Sequence, residues 1–301
     1  MLNTELSIVT GWGNHLGTGH IQRMATLADY INSHTSMRAF IVSEGIPEFI
    51  PGHLHDCRSR TIRPGKGIII RDKRDSRIDE MTMLKENGRV ITVDDCGPGR
   101  DLADRAIDLL PNLNYSINQK GLFIYGYSFS DSIRRLGNQT IRKDIDYALY
   151  CGIHPSREIV DFFLSLVPEK SSCAILAGEA SFLMNNGVKM PLVKSYAETL
   201  LSTRILISHF GITLYEGQIA QCRLVTINPT EYHSQLSDKA ASDLHCINLG
   251  VIGDIDREKA RATLSKAMGD DVPESINPAK ISDAIEEGLD LFMSQIQPFM
   301  E

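Results

Sequence analysis

Apolar residues along this chain come in short unbroken runs separated by stretches with helical spacing. The run Leu6 to Thr10 is followed by a cluster of glycines, and then by Ile21, Met24, Ala25, Leu27, Ala28 and Ile31. A short continuous apolar run reads as a strand buried on both faces, and a three-to-four-residue period as an amphipathic helix. The same pattern predicts strands at Arg38 to Ser43, Gly67 to Arg71, Arg89 to Val93 and Leu122 to Tyr125, with helices over Ile78 to Glu86 and Asp101 to Leu110. Ser128 to Lys143 is polar, rich in Ser and Arg, and weakly periodic, so the domain junction is placed there.

The alternation then resumes. Strands are expected at Tyr147 to Tyr150, Ser172 to Leu176, Arg204 to Ser208, Leu224 to Ile227 and Cys246 to Val251. Helices are expected at Ser156 to Leu166, Gly211 to Gln218, Gln235 to Leu244, Arg257 to Met268 and Ile281 to Phe299. Strands alternating with helices imply parallel sheets covered on both faces. The predicted class is α/β, with two Rossmann-like domains facing across a cleft, residues 1–140 and 141–301. Ligands in such sheets bind beyond the carboxyl ends of the strands.

Composition narrows the partners. The net charge of −7 and the lack of a long Lys/Arg run argue against nucleic acid. No stretch approaches the ~18 apolar residues of a membrane span. The six cysteines form no Cys-x-x-Cys pair, and four lie in or beside apolar runs, which suits a reducing compartment. With no signal-peptide pattern at the N-terminus, a cytoplasmic protein is expected.

Candidate chemistry gathers at two glycine-bearing turns. Gly11 to Gly19 joins the first strand to the first helix, which aims backbone N–H groups and a helix N-terminus at one place and favours a phosphate. His20 and Arg23 follow on the first turn, three residues apart and able to share a face. An imidazole beside an anion-binding loop is a general-base candidate, the alternative being a histidine that caps its helix. Gly11-x-Gly13-x-x-x-Gly17 also resembles a dinucleotide fingerprint. However, Glu44 lies about 33 residues past the first glycine rather than ~20, no Tyr-x-x-x-Lys pair is present, and there is no Walker motif. No cofactor is expected.

In the second half, Ser208-His209-Phe210-Gly211-Ile212-Thr213 leads from a strand into a helix. Gly211, Ile212 and Thr213 suit a diphosphate, and Glu216 suits the vicinal hydroxyls of a ribose. Alternatively, Thr213 caps the helix and Glu216 is its capping-box partner. Tyr232-His233-Ser234-Gln235 places polar groups at the same sheet edge unless it is a solvated loop. His53-x-His55-Asp56-Cys57 has two histidines but no matching ligand cluster, so no metal is expected. Asp94 and Asp95, at the end of a buried strand, are better placed for function.

Gly17-Thr18-Gly19-His20-x-x-Arg23, taken with Gly211 to Glu216, resembles the GT-B superfamily. Within it, the chain is most similar to the UDP-sugar hydrolase of pseudaminic acid biosynthesis and its spore-coat-polysaccharide relatives. Val93-Asp94-Asp95 resembles that group's central strand ending in acids. Cys151-Gly152-Ile153-His154-Pro155 resembles its Gly-Gly-x-Asp-Pro turn, and His233-Ser234-Gln235 its Asn-Gln near the donor sugar. Cys151, His154 and Ser234 depart from the pattern, all on the nucleotide and sugar side. The resemblance implies metal-free cleavage of a UDP-linked amino-deoxy sugar by water. His20 would manage the water's proton, and Asp95 or Asp94 would orient it or the substrate. Gly17, Gly19, Arg23, Asp94, Gly152, His209, Gly211, Ile212, Thr213, Glu216, His233 and Gln235 would line the substrate. It further implies that the last helix packs toward the first domain. Sugar transfer to an acceptor, or nucleotide-sugar binding without turnover, are the alternatives, because the fold is shared.

Overall fold

The computed structural model describes residues 5–13, 17–45, 47–54, 67–114, 122–152, 154–177, 181–269 and 272–300. The chain divides into two units: Met1–Ser130 with Asp283–Glu301, and Asp131–Ser282. The division thus falls inside the polar stretch that follows Leu122 to Tyr125. Among the described residues, no helix is long and apolar enough to cross a membrane.

The first unit is built on β1 (Glu5–Thr10), α1 (Gly19–His34), β2 (Arg38–Val42), β3 (Gly67–Asp72), α2 (Ile78–Asn87), β4 (Gly88–Val93) and β5 (Arg105–Ile107). All five strands pair in parallel, in the order β2-β1-β3-β4-β5. Their continuous apolar runs are buried as the pattern implies: Leu6, Ile8, Ile70, Val90, Ile91 and Val93 are fully enclosed. Burying each such side chain contributes about 1.5–3 kcal/mol. Parallel pairing puts the ends of β1, β3 and β4 side by side, so Thr10, Asp72 and Asp94 come to one edge of the sheet.

The expected helix over Asp101 to Leu110 does not form; a single 3-10 turn, Arg100–Leu102, leads into β5 instead. Bonds to β4 and to Asp94 just beyond it take amides of this stretch out of helical pairing. Asp104 accepts from the Val90 amide at 2.7 Å, and its own amide donates back to the Val90 carbonyl at 2.8 Å. The amides of Leu109 and Leu110 donate to Asp94 at 2.7 and 2.9 Å. Leu122 to Tyr125 is buried but pairs with no strand, and it leads into α3 (Tyr127–Leu136). That helix was obscured by its Ser and Arg content; Phe129 and Ile133, four apart, are its buried stripe.

The second unit continues through β6 (Ile141–Arg142), β7 (Ile145–Tyr150), α4 (Arg157–Leu166), β8 (Cys173–Leu176), β9 (Phe182–Asn185), β10 (Val188–Pro191), α5 (Tyr196–Leu201), β11 (Thr203–Ser208), α6 (Ile212–Ile219), β12 (Arg223–Asn228), α7 (Glu231–Leu244), β13 (Ile247–Val251), α8 (Arg257–Ala267) and β14 (Ser275–Ile276). Its main sheet runs β10-β9-β8-β7-β11-β12-β13, parallel except for the β9–β10 hairpin at one edge. The sequence reading missed that hairpin and α5. The hairpin's Asn186-Gly187 turn has φ of 48° and 76°, the left-handed pair a two-residue turn needs.

The chain ends in α9 (Pro278–Ile296), whose Ile281, Ile285, Leu289, Phe292 and Ile296 are buried. From Asp283 onward it belongs to the first unit, where Tyr30 donates to Asp290 and Arg105 to Gln295. Gly288 sits so close to the Leu122 to Tyr125 stretch that a Cβ there would lie 2.6 Å from the Phe123 carbonyl oxygen. Gly288→Ala should therefore lower stability by about 1–3 kcal/mol through overpacking. Urea unfolding measures this, and an unchanged midpoint would mean that α9 does not pack on that backbone.

Candidate functional site

In the first unit, the glycine turn is closed by reciprocal amide–carbonyl bonds between Gly13 and Gly17, at 3.1 and 2.7 Å. Gly17 has φ of +66°, a conformation open to glycine at little cost. Residues 14–16, between them, lie outside the described residues. Helix α1 opens at Gly19 with Thr18 at its N-cap, and the Thr18 side chain makes no capping bond. His20 does not cap the helix either. Its Nδ1 lies 2.7 Å from Asp72 Oδ1 at the end of β3. A carboxylate oxygen at that distance makes Nδ1–H the donor, so in the neutral ring the lone pair is on Nε2.

Asp72 is the residue that sequence reasoning missed. Its signal in the sequence is an acid immediately after the buried run Gly67 to Arg71, the same pattern as Asp94 and Asp95 after Arg89 to Val93. The carboxylate on His20 is that of Asp72, and Asp95 points elsewhere. Its Oδ1 accepts from the amides of Ser76 and Gly97 at 2.8 and 2.9 Å, and its Oδ2 lies 3.4 Å from Arg71. Successive strand residues face opposite ways, so Arg71 and Asp95 build the loops behind the strand ends. Asp72 and Asp94 face α1.

Arg23 also departs from the expectation of a substrate-binding residue. It is 2% exposed and committed to protein carboxylates. Nε and Nη2 hold Asp72 at 2.6 and 2.5 Å, and Nη1 holds Asp94 at 2.5 Å. Burial alone would raise the Asp72 carboxyl, but the charge and hydrogen bonds of Arg23, with those of His20, bring it down to about 2. Asp94 goes the other way: burial raises it, Arg23 opposes, and the neighbouring Asp72 charge adds to the rise. The two carboxylates hold Arg23 firmly protonated despite its burial.

In the second unit, β11 ends at Ser208, and His209-Phe210-Gly211 carries the chain into α6. Gly211 is the N-cap, so the capping-box alternative for Thr213 and Glu216 does not hold. Both side chains are buried instead, and the Tyr196 hydroxyl donates to Glu216 Oε2 at 2.6 Å while lying 3.1 Å from Thr213 Oγ1. Burial and the Glu216 charge push Tyr150 up to about 12 and Tyr196 well above its ordinary range, so both phenols stay protonated. Nothing in the signals used could have found Tyr196, which lies on the missed helix α5.

Gly211 is extended and needs no special backbone freedom. A Cβ there would meet only the His209 ring, at 3.8 Å. Neither conformation nor packing calls for glycine at this position. Of the first-turn amides of α6, that of Leu214 donates to the Gly211 carbonyl at 3.1 Å, while those of Ile212 and Thr213 stand at the positive end of the helix dipole.

The His209 Nδ1–H donates to the Phe210 carbonyl at 3.0 Å, the ring lies 5.4 Å from that of Tyr150 and 6.4 Å from that of His233, and burial lowers its basicity. Asn228 fixes this loop by accepting from the Phe210 amide at 2.9 Å and donating to Asn248 at 3.0 Å. Asn248 in turn holds Ser234 on α7 at 3.0 Å. His233, whose Nδ1 is 2.8 Å from Thr230 Oγ1, is brought to the group; Gln235 is exposed and donates to Glu231 on its own helix. Gly152, with φ of +96°, follows β7 at the same sheet edge. His55 and Cys57 lie outside the described residues, and His53 Nε2 lies 3.7 Å from Asp29 Oδ1. Among the described residues, no three His, Cys, Asp or Glu side chains group as metal ligands.

No protein-family model matches this chain, and no curated protein does. Solved structures do. The chain is similar to the spinosyn forosaminyltransferase SpnP (TM-score 0.59, 12% identity, covering 99% of this chain and 100% of that one). It is similar to the spinosyn rhamnosyltransferase SpnG complexed with thymidine diphosphate (0.58, 11%, 97% and 99%). A third is the Methanocaldococcus jannaschii UDP-GlcNAc 2-epimerase in complex with UDP-GlcNAc and UDP (0.55, 10%, 96% and 99%). The fold is therefore GT-B, with two Rossmann-like units.

A carboxyl held near 2 in the native protein but near 3.9 when unfolded stabilises the fold above the higher value. That contribution fades as pH falls through the lower one, and here it is roughly 2 kcal/mol. The stability difference between wild type and Asp72→Asn should thus narrow as pH falls from about 4 to about 2. Denaturant unfolding at several pH values tests this, and a constant difference would contradict the ion pairing of Asp72.

Proposed function

We propose that the protein is a UDP-sugar-dependent enzyme that moves the sugar onto a hydroxyl. The second unit holds the nucleotide and the first supplies the base. The observation that carries this reading is the 2.7 Å contact between His20 Nδ1 and Asp72, which leaves Nε2 of His20 to accept a proton. The nucleophile's O–H gives its proton to Nε2, its oxygen bonds to the anomeric carbon, and the bond from that carbon to the diphosphate oxygen breaks. UDP leaves with the electron pair. Its charge meets the amides at the start of α6, with Gly211 permitting close approach and Glu216 taking the ribose. His209, Ile212, Thr213, His233 and Gly152 complete the nucleotide and sugar side. Asp72 takes the orienting role first assigned to Asp95.

Glycosyl transfer is favoured over hydrolysis because the similar structures include several named as glycosyltransferases, two of them for deoxy sugars of one natural product. Hydrolysis is the second reading. It rests on the resemblance of Gly17-Thr18-Gly19-His20-x-x-Arg23 to the UDP-sugar hydrolase of pseudaminic acid biosynthesis, and it differs only in that water is the nucleophile.

Incubation with a panel of UDP- and dTDP-sugars, with and without hydroxyl acceptors, separates the readings. Acceptor-dependent release of nucleotide supports transfer, release in water alone supports hydrolysis, and binding without turnover refutes both. His20→Asn should lower kcat by about 10²–10⁴-fold while UDP affinity stays within about 3-fold. Glu216→Ala should weaken UDP binding by roughly 10–100-fold in calorimetry. Gly211→Ala should weaken it too, without loss of thermal stability. Unchanged UDP affinity in both would remove α6 from the nucleotide site.

A further inference from the structure

The grip of Arg23 on Asp72 poses a problem for the histidine beside it. A carboxylate helps an imidazole take up a proton because its charge stabilises the imidazolium. Here that charge is already claimed. Arg23 binds Asp72 through two nitrogens, and its Nη2 is 3.3 Å from His20 Nδ1. Were these three residues alone, protonating His20 would leave an uncompensated positive charge in a group whose carboxylate is fully buried and whose guanidinium is 2% exposed. Such a charge is costly in a weakly polar interior.

The fourth member removes the problem. Asp94 Oδ2 lies 2.5 Å from Arg23 Nη1, and its Oδ1 accepts from the amides of Leu109 and Leu110. Every one of these contacts donates toward the carboxylate, the arrangement of an ionised acid. With one cation and two anions the group carries one excess negative charge, and a proton on His20 cancels it. Asp94 is held for this position at some conformational cost: its φ is +49°, which a non-glycine residue rarely adopts. Lys73 and Asp75 follow directly after β3, and Asp75 and Asp94 both act on Cys96. Arg71 joins Glu80 and Asp95, and Arg100 joins Asp108.

We propose that Asp94 is a positioning residue that acts on His20 through Arg23 and Asp72, supplying the negative charge that lets the ring accept a proton. The four side chains form one chain of alternating charge, His20–Asp72–Arg23–Asp94, running from a ring 14% exposed to a carboxylate anchored on the β5 loop. The role in turnover rests on the function proposed above; the effect on the ring does not.

Asp94→Asn isolates the charge. It keeps the oxygen that the Leu109 and Leu110 amides need, and asparagine tolerates the left-handed backbone. Ring-nitrogen NMR, with the His20 signal assigned by its absence in His20→Asn, follows the pH at which His20 titrates. In Asp94→Asn the midpoint should fall by about half a pH unit or more, and an unmoved midpoint in folded protein would overturn the proposal. Should Asp94→Asn not fold, Arg23→Lys serves, because one ammonium cannot hold both carboxylates in the same way. The midpoint should again move, and a fixed one would overturn the relay. No substrate is needed, so a shifted midpoint without UDP-sugar turnover would keep the relay and refute the enzyme. Where turnover is found, Asp94→Asn should lower kcat about 10-fold or more with KM little changed.

Discussion

The first unit is organised around one buried carboxylate. Asp72 has no exposed surface, and an unpaired acid in that position would be protonated or would disrupt the fold. It stays ionised because Arg23 and His20 reach it from the first turn of α1, which fixes the start of that helix against the end of β3. Thr10 ties the adjacent strand into the same place through the Asp72 carbonyl at 3.0 Å. Removing one partner from such a pair typically costs about 3–5 kcal/mol. Stability and candidate chemistry therefore depend on the same contacts, and the ring nitrogen left over is the one a substrate would meet.

The second unit solves a different problem. Its polar side chains at the sheet edge are mostly uncharged: the hydroxyls of Tyr150, Tyr196 and Thr213 gather at one buried carboxylate, Glu216, and the amides of Asn228 and Asn248 fix the loop that leads into α6. Such a network orients acceptors without placing a cation there, and the positive potential comes from the start of α6. That suits a ligand with negative charge at one end and hydroxyl donors at the other, as a nucleoside diphosphate has.

The architecture was legible because buried parallel strands are nearly uniform in polarity, and every expected strand of the first sheet up to Val93 is present. Misreadings arose where side chains, rather than backbone periodicity, set the conformation. Asp101 to Leu110 has helical spacing, yet the Asp94 carboxylate captures the amides of Leu109 and Leu110, and the Asp104 amide bonds to the Val90 carbonyl on β4. Phe129 and Ile133 were masked by the polar residues around them. In the site, the glycine turns and His20 could be read from spacing, because turn chemistry is local. Asp72 and Tyr196 could not be paired with their partners by spacing, since His20–Asp72 spans 52 residues and Tyr196–Glu216 joins two helices across a strand. Arg23 shows the limit most plainly: its position on α1 was read, but its partners were not.

The central claim is that the nucleotide is recognised at the start of α6 while the His20 group is left free for chemistry. Hydrogen exchange of the backbone amides with and without UDP tests it directly, because amides bonded to a diphosphate exchange more slowly. The account predicts added protection over residues 211–213, with little change over residues 17–24. Protection confined to residues 17–24, or none at the start of α6 at saturating UDP, would contradict it.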